Sequence, residues 1–178
     1  QWLNIEEQFF SDINMISITE SCSNLKHLSI SLCTNMTDVS IIRIAECCHT
    51  MESLNMAGCE SLSDISLIKI AECCRGMKNL NVSCCINITD TSISKIAEYC
   101  YNIEILNLSG GRSISDASMI ELAFYCHKIK DLNISWSRQI TDLGISKLVS
   151  CCPNIEVLDI SFCRITDSSI IRIAECCH

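Results

Sequence analysis

A single proline, Pro153, stands among 178 residues, and no linker or low-complexity stretch breaks the chain. Glycine is sparse, at five residues. None of the five builds a phosphate-cradling loop, and neither G-x-S-x-G nor H-E-x-x-H occurs. The four histidines, His27, His49, His127 and His178, occupy unlike positions with no shared carboxylate partner. These absences argue against an enzyme, so no catalytic residue and no cofactor is expected. No apolar run approaches the roughly 18 residues that a membrane-spanning helix needs. The first ten residues, QWLNIEEQFF, have no basic stretch and carry Glu6 and Glu7, unlike a secretory signal. Basic excess is missing too: 13 Lys and Arg face 21 Asp and Glu, for a net charge of −8. A general nucleic-acid binder needs a basic footprint to displace counterions. Neither a membrane nor a nucleic acid is therefore an expected partner.

Cysteine, by contrast, is abundant, at sixteen residues. Such a count in a small secreted chain would mean a disulfide framework, but the positions say otherwise. Cys22, Cys48, Cys74, Cys100, Cys126, Cys152 and Cys177 recur at one slot, and Cys33, Cys59, Cys85 and Cys163 at another. A small buried apolar residue would recur in this way. Adjacent pairs such as Cys47-Cys48 and Cys73-Cys74 do not close a low-strain disulfide within a helix. Cys47-Cys48-His49, Cys126-His127 and Cys176-Cys177-His178 offer thiols and imidazoles, but no finger-like pair of C-x-x-C motifs accompanies them, and no metal is expected. A reducing, intracellular compartment is expected, cytoplasmic or nuclear.

The slots belong to a repeat. A Ser/Thr-Asp pair stands at Ser11-Asp12, Thr37-Asp38, Ser63-Asp64, Thr89-Asp90, Ser115-Asp116, Thr141-Asp142 and Thr166-Asp167. The spacing is 26 residues five times and then 25. A fixed period of this size marks a solenoid. Each unit opens with an alternating run such as Met77, Leu80, Val82 or Ile129, Leu132, Ile134, which reads as a strand with one buried side. Ser29, Asn55, Asn81, Asn107, Asn133 and Asp159 point to the other, solvated side. The Ser/Thr-Asp pair then starts a helix, with the hydroxyl as cap and the carboxylate at the positive end of the helix dipole. Ile93, Ile96, Ala97 and Cys100 follow at i, i+3, i+4 and i+7, one apolar stripe. Arg43–Glu46, Lys69–Glu72, Lys95–Glu98 and Arg172–Glu175 are spaced to pair on the opposite side.

A lone unit cannot bury both apolar faces, whereas stacked units can. Parallel strands need a long crossover, which each helix supplies. The expected fold is a right-handed α/β solenoid with a parallel sheet on the concave face and helices on the convex face. Residues 1–178 are expected to be one domain of about seven repeats, with 1–24 a partial first repeat and 25–178 regular. Both ends resemble cuts through a longer array, or surfaces that associate end to end.

The pattern L-x-x-L-x-L-x-x-C followed by I-T-D-x-x-I-x-x-I-A-x-x-C resembles the cysteine-containing leucine-rich repeat. Asn87-Ile88-Thr89-Asp90 and Gln139-Ile140-Thr141-Asp142 carry the likeness, while Gly111 and Ser137 replace the cysteine after the strand. This repeat is typical of F-box/leucine-rich-repeat proteins, substrate receptors of cullin-type ubiquitin ligases, and of related fungal proteins without an F-box. The resemblance runs from about Ser11 onwards and leaves no segment of this chain for an F-box. It implies a protein-interaction scaffold, most specifically the substrate-recognition part of a ligase adaptor. A structural self-assembling module and a binder of a small anionic ligand are the alternatives.

Counting back 26 residues from the second unit puts Trp2 in the Leu28 slot and Asn4 in the Ile30 slot, so a poor first strand is expected. Trp2, Phe9 and Phe10 would then act as an apolar cap. The second strand position alternates in sign, Lys26, Glu52, Lys78, Glu104, Lys130, Glu156, as a charge ladder would. The repetitive Asn and Ser columns suit solubility and lateral hydrogen bonding. Recognition needs variation, and it occurs in three columns. The third strand position ends Ile105, Asp131, Val157; the eighth ends Gly110, Trp136, Phe162; the tenth ends Arg112, Arg138, Arg164. Interfaces favour Trp and Arg at their centres, and arginines receive carboxylates or phosphates. Trp136, Phe162, Arg112, Arg138, Arg164, Asp131 and Val157 are the expected partner-binding residues. A protein partner is expected on the concave face or its adjoining loops.

Overall fold

A computed structural model describes residues 1–6 and 11–177. Among them seven strands alternate with seven helices. The strands are β1 (Trp2–Asn4), β2 (His27–Ser29), β3 (Ser53–Asn55), β4 (Asn79–Asn81), β5 (Ile105–Asn107), β6 (Asp131–Asn133) and β7 (Val157–Asp159). The helices are α1 (Asp12–Ser21), α2 (Asp38–Cys47), α3 (Asp64–Cys73), α4 (Asp90–Tyr99), α5 (Asp116–Tyr125), α6 (Asp142–Cys151) and α7 (Asp167–Cys176). The strands pair in parallel and in sequence order, β1 to β7, as one sheet. Each of α1 to α6 is a crossover between neighbouring strands, the α/β solenoid expected from the period.

Each unit forms this way for local reasons. Leu54, Leu80, Leu106 and Leu132 face inwards and are at most 1% exposed. They also stand opposite one another in the ladder. Burying each such side chain contributes about 1.5–3 kcal/mol. The helices start where a hydroxyl caps them: Thr89 Oγ1 accepts from the Thr91 N–H at 3.1 Å and Ser115 Oγ from Ala117 at 3.2 Å. Ile93, Ile96 and Ala97 of α4, like their counterparts in α2 and α3, turn towards the sheet and are fully buried.

The Asp that follows the cap does more than complement its own helix dipole. It reaches the next repeat. Asp64 accepts from the Thr89 N–H at 2.9 Å and from its hydroxyl at 2.6 Å. Asp90 takes the same pair from Ser115 at 2.9 and 2.6 Å, and Asp116 from Thr141 at 2.8 and 2.6 Å. A buried serine one turn into the helix often adds a further donor, as Ser118 does to Asp90 at 2.5 Å. Each carboxylate thus ties the start of one helix to the start of the next.

The cysteine columns also lie between repeats. Cys48 Sγ points to the Cys22 carbonyl at 3.5 Å, Cys74 to that of Cys48 at 3.4 Å, and Cys152 to that of Cys126 at 3.4 Å. After the strands, Cys59 Sγ meets the Ile30 carbonyl at 3.1 Å and Cys85 that of Met56 at 3.0 Å. All sixteen thiols are free. Burial pushes Cys74, Cys85, Cys100, Cys126 and Cys152 up to about 12. They serve as small core residues with a weak donor.

Two expectations are corrected. Trp2 pairs with His27 and Leu3 with Leu28, so Leu3, not Trp2, holds the Leu28 slot. Ile5 continues the ladder through its N–H to the Ser29 carbonyl at 3.0 Å. The first strand is therefore as long as the others, and Trp2 lies on its exposed side. The segment between Leu3 and Asp12 is one residue shorter than that between Leu28 and Asp38, which shifts a count of 26 by one. Phe9 and Phe10 lie outside the described residues. Lys69 does not stay on its own helix: it crosses to Glu46 of α2 at 3.5 Å.

Candidate functional site

The open side of the sheet and the turns that follow its strands carry the variable columns. The second strand position is a charge ladder, as its alternation suggests. Glu52 meets Lys26 and Lys78 at 2.7 Å each, and those two ammonium groups hold its carboxyl down at about 2. Lys130 meets Glu104 at 2.8 Å. The Asn column is absorbed locally. Asn55, Asn81, Asn107 and Asn133 each accept from the backbone N–H two residues on, at 3.0–3.1 Å. Asp159 does the same with Ser161 at 3.0 Å, and those bonds lower its carboxyl below the ordinary value. These side chains fold the chain out of the strand, in the manner of Asx turns, and are largely committed to that role.

Three residues beyond each of β2 to β7, the chain reaches a position with left-handed backbone. Leu32, Gly58, Cys84, Gly110, Trp136 and Phe162 have φ of 61°, 70°, 58°, 72°, 63° and 61°. Glycine adopts this conformation freely, whereas a side chain costs about 1–2 kcal/mol there. Two repeats use glycine and four do not. A bulky residue at positive φ is an outlier that points towards function.

At Trp136 and Phe162 the geometry has a visible result. The two rings stack at 3.9 Å between centroids with 20° between planes. Both are more than half exposed, at 52% and 62%. The pair forms an aromatic ridge along the edge of the sheet. Beside it lies a groove of about 700 Å³. It is lined by Glu60, Cys84, Ile86, Gly110, Arg112, Trp136 and Arg138. Gly110 lets neighbouring layers pack closely: a methyl group there would lie 3.2 Å from Cys84 Sγ.

The expected site residues thus fall into two groups. Trp136, Arg112 and Arg138 share the groove, and Phe162 joins them by its stack. Arg164 is exposed one repeat further, where its N–H bonds the Ile140 carbonyl at 3.0 Å. Asp131 and Val157 face a separate hollow of about 490 Å³ on the open sheet face, with Ile105, Asn133 and Asp159. Ile105 was not singled out from the sequence, although it stands in the same variable column. Its 44% exposure, beside Val157 at 54%, makes that hollow partly apolar. Gly110 and Cys84 also join the groove; two glycines in one otherwise large-residue column were the signal for them.

Among the described residues no group of three or more His, Cys, Asp or Glu side chains is arranged to hold a metal; His178 lies outside them. No described helix is long and apolar enough to cross a membrane.

A 26-residue unit of one strand and one helix, stacked in register with an open sheet face, defines an α/β solenoid repeat protein. The family model for the Leucine Rich repeat matches residues 21–45, 47–71, 125–149 and 151–174, and the chain belongs to that family. A search of curated proteins finds no match. Among solved structures, the chain is similar to one of the yeast Rad7–Elc1 complex, with 18% identity over 95% of this chain and 55% of that one, at a TM-score of 0.61. It is also similar to an internalin, InlF, from Listeria monocytogenes str. 4b F2365, with 17% identity over 97% of this chain and 52% of that one, at a TM-score of 0.69. The chain spans about half the length of these two structures.

Proposed function

We propose that the chain is a protein-interaction scaffold whose partner docks on the ridge of Trp136, Phe162, Arg112, Arg138 and Arg164 and extends over Asp131 and Val157. The observation that carries this reading is the exposed, stacked Trp136–Phe162 pair held on left-handed backbone beside a groove. Contiguous exposed aromatic surface marks interaction sites, and Trp and Arg dominate their energetics. The repeat family supports the same reading, since its stacked units present one long surface rather than a catalytic cleft.

In its most specific form, the chain is the substrate-recognition part of an F-box/leucine-rich-repeat ligase adaptor. Two things support this form: the cysteine-containing repeat pattern, and a similar fold in a complex of Rad7 with Elc1. An intracellular, reducing location accords with sixteen free thiols used as packing. Capture of partners from a cell extract tests the site. The double variant Trp136→Ala/Arg138→Ala should lose the partner while its circular dichroism is unchanged. Undiminished capture would place the docking surface elsewhere. Recovery of ubiquitin-ligase subunits with a longer form of the chain tests the ligase role, and their absence would count against it.

A further inference from the structure

The groove beside Trp136 has a definite charge character. Lys26, Lys78 and Lys130 are paired with carboxylates across the sheet. Arg43, Lys69, Lys95 and Arg172 are paired on the helices. Arg75 lies over the Tyr99 ring at 5.3 Å, and Lys128 donates to Asn102 at 2.7 Å. Arg112, Arg138 and Arg164 alone form a row, and their guanidinium groups have no side-chain partner among the described residues. Arg112 and Arg138 occupy one position in successive repeats, where neighbouring layers lie about 5 Å apart, while Arg164 takes the ladder position of Gln139, bridging to Thr141 as Gln139 does to Ser115. Like charges on neighbouring layers repel one another, here in a chain that is otherwise acidic at −8. An anionic occupant relieves that repulsion, and each guanidinium offers a planar fork to a carboxylate.

The groove is not only cationic. The exposed Trp136 indole and Ile86 add apolar surface to its lining. A volume of about 700 Å³ accommodates more than an isolated ion. Glu60 also lines the groove and repels anions, which favours Arg112 and Arg138 as the contacts of an occupant's negative groups.

We infer that the ridge binds an acidic peptide segment of a protein partner, one whose carboxylates flank an aromatic residue. The aromatic side chain lies against Trp136 and Ile86, and the carboxylates meet Arg112 and Arg138. This rests on the reading of the ridge as a partner surface and specifies the partner's chemistry.

The probe is a peptide with a central phenylalanine between runs of glutamate. Two controls replace every glutamate by glutamine or by lysine. The chain has two tryptophans, so a Trp2→Phe background leaves Trp136 as the only indole, and its emission reports occupancy. The acidic peptide should shift that emission and bind at least tenfold more tightly than the glutamine control. The lysine control should not bind. Arg112→Gln/Arg138→Gln should weaken the acidic peptide at least tenfold, as should rising salt. Circular dichroism shows whether that variant is folded; if it is not, the salt dependence and the two control peptides decide. Equal or tighter binding of either control overturns the acidic assignment while leaving the ridge as a partner surface. No response to any of the three peptides also overturns it. In that event the ridge itself is judged separately, by capture with Trp136→Ala/Arg138→Ala.

Discussion

The indole of Trp136 lies on the ring of Phe162, one repeat away, with centroids 3.9 Å apart and planes 20° from parallel. Both residues sit at φ near 60°, where glycine would carry no penalty. An aromatic pair contributes about 0.5–1.5 kcal/mol beyond its buried area, which is close to what one left-handed side chain costs. Trp136→Gly therefore exchanges one for the other, with a further few tenths of a kcal/mol for the added freedom of the unfolded chain. The expected change in unfolding free energy is within about 1 kcal/mol, read from urea titration. Trp136→Val, β-branched on the same backbone, should be clearly less stable than Trp136→Gly.

Ser137 occupies the slot that Cys33, Cys59, Cys85 and Cys163 fill in other repeats. Those thiols reach the carbonyl of the preceding repeat at 3.0–3.2 Å. The Ser137 hydroxyl is fully buried and finds no partner. Its C–O bond is shorter than the C–S bond of cysteine, so it falls short of the acceptor. Leaving such a group unsatisfied costs about 1–3 kcal/mol. Ser137→Cys should raise the urea midpoint, by about 1 kcal/mol in stability. A lower midpoint would mean that the slot is shaped for the hydroxyl.

Asp90 joins α4 to α5 through Ser115 and Ser118. Hydrogen bonds to a charged group contribute about 1.5–3 kcal/mol, so Asp90→Ala should destabilise by about 2 kcal/mol or more. In a stacked array the loss concentrates at one interface. Amide exchange should rise first in the capping turns of α4 and α5, rather than uniformly. Uniform acceleration would show that the carboxylate is not a local clamp.

Acid should act through the same kind of bond. Hydrogen bonds from Ser169 and Thr166 hold the Asp142 carboxyl at about 2, below its ordinary 3.8. Glu52 is held at about 2 from an ordinary 4.5 by Lys26 and Lys78. A folded value below the unfolded one means that the contribution is complete above the unfolded value. It is lost as pH falls through the folded one. The urea midpoint should therefore be flat with respect to these groups above about pH 5 and fall between about pH 4.5 and 2. Asp142→Asn should remove part of that slope.

Thiol reactivity should follow burial. Cys84 is exposed in the groove, whereas Cys74, Cys85, Cys100, Cys126 and Cys152 are buried and pushed up to about 12. Only the thiolate attacks alkylating agents. Mass spectrometry after iodoacetamide treatment at pH 8 should show Cys84 modified well before those five, which react only once denaturant is added.

Much of this architecture is written in the columns. The recurrence of Leu28, Leu54, Leu80, Leu106 and Leu132 is enough to order the strands and fix their register, because each layer repeats the same buried side. The Ser/Thr-Asp pairs mark every regular helix start. What the columns hide is whatever passes between layers or depends on backbone sign. Asp64 looks like a local dipole partner, yet its bonds go to Thr89, 25 residues away. Leu32, Cys84, Trp136 and Phe162 are not residues that favour positive φ, so their common left-handed backbone is visible only through Gly58 and Gly110. The slip at Trp2 arose because one short segment breaks an otherwise constant count. The candidate site divides similarly. The variable columns bring out Trp136, Phe162 and the arginines, but not the place of Gly110 and Cys84 in the groove or the separation of Asp131 and Val157 into their own hollow.

The docking surface is tested most directly by amide hydrogen exchange on the chain with a captured partner bound. Protection should appear in the turns at 109–113, 135–139 and 161–165, which carry Trp136, Phe162 and the three arginines. Protection confined to the outer faces of the helices, with those turns exchanging as in the free chain, would contradict it.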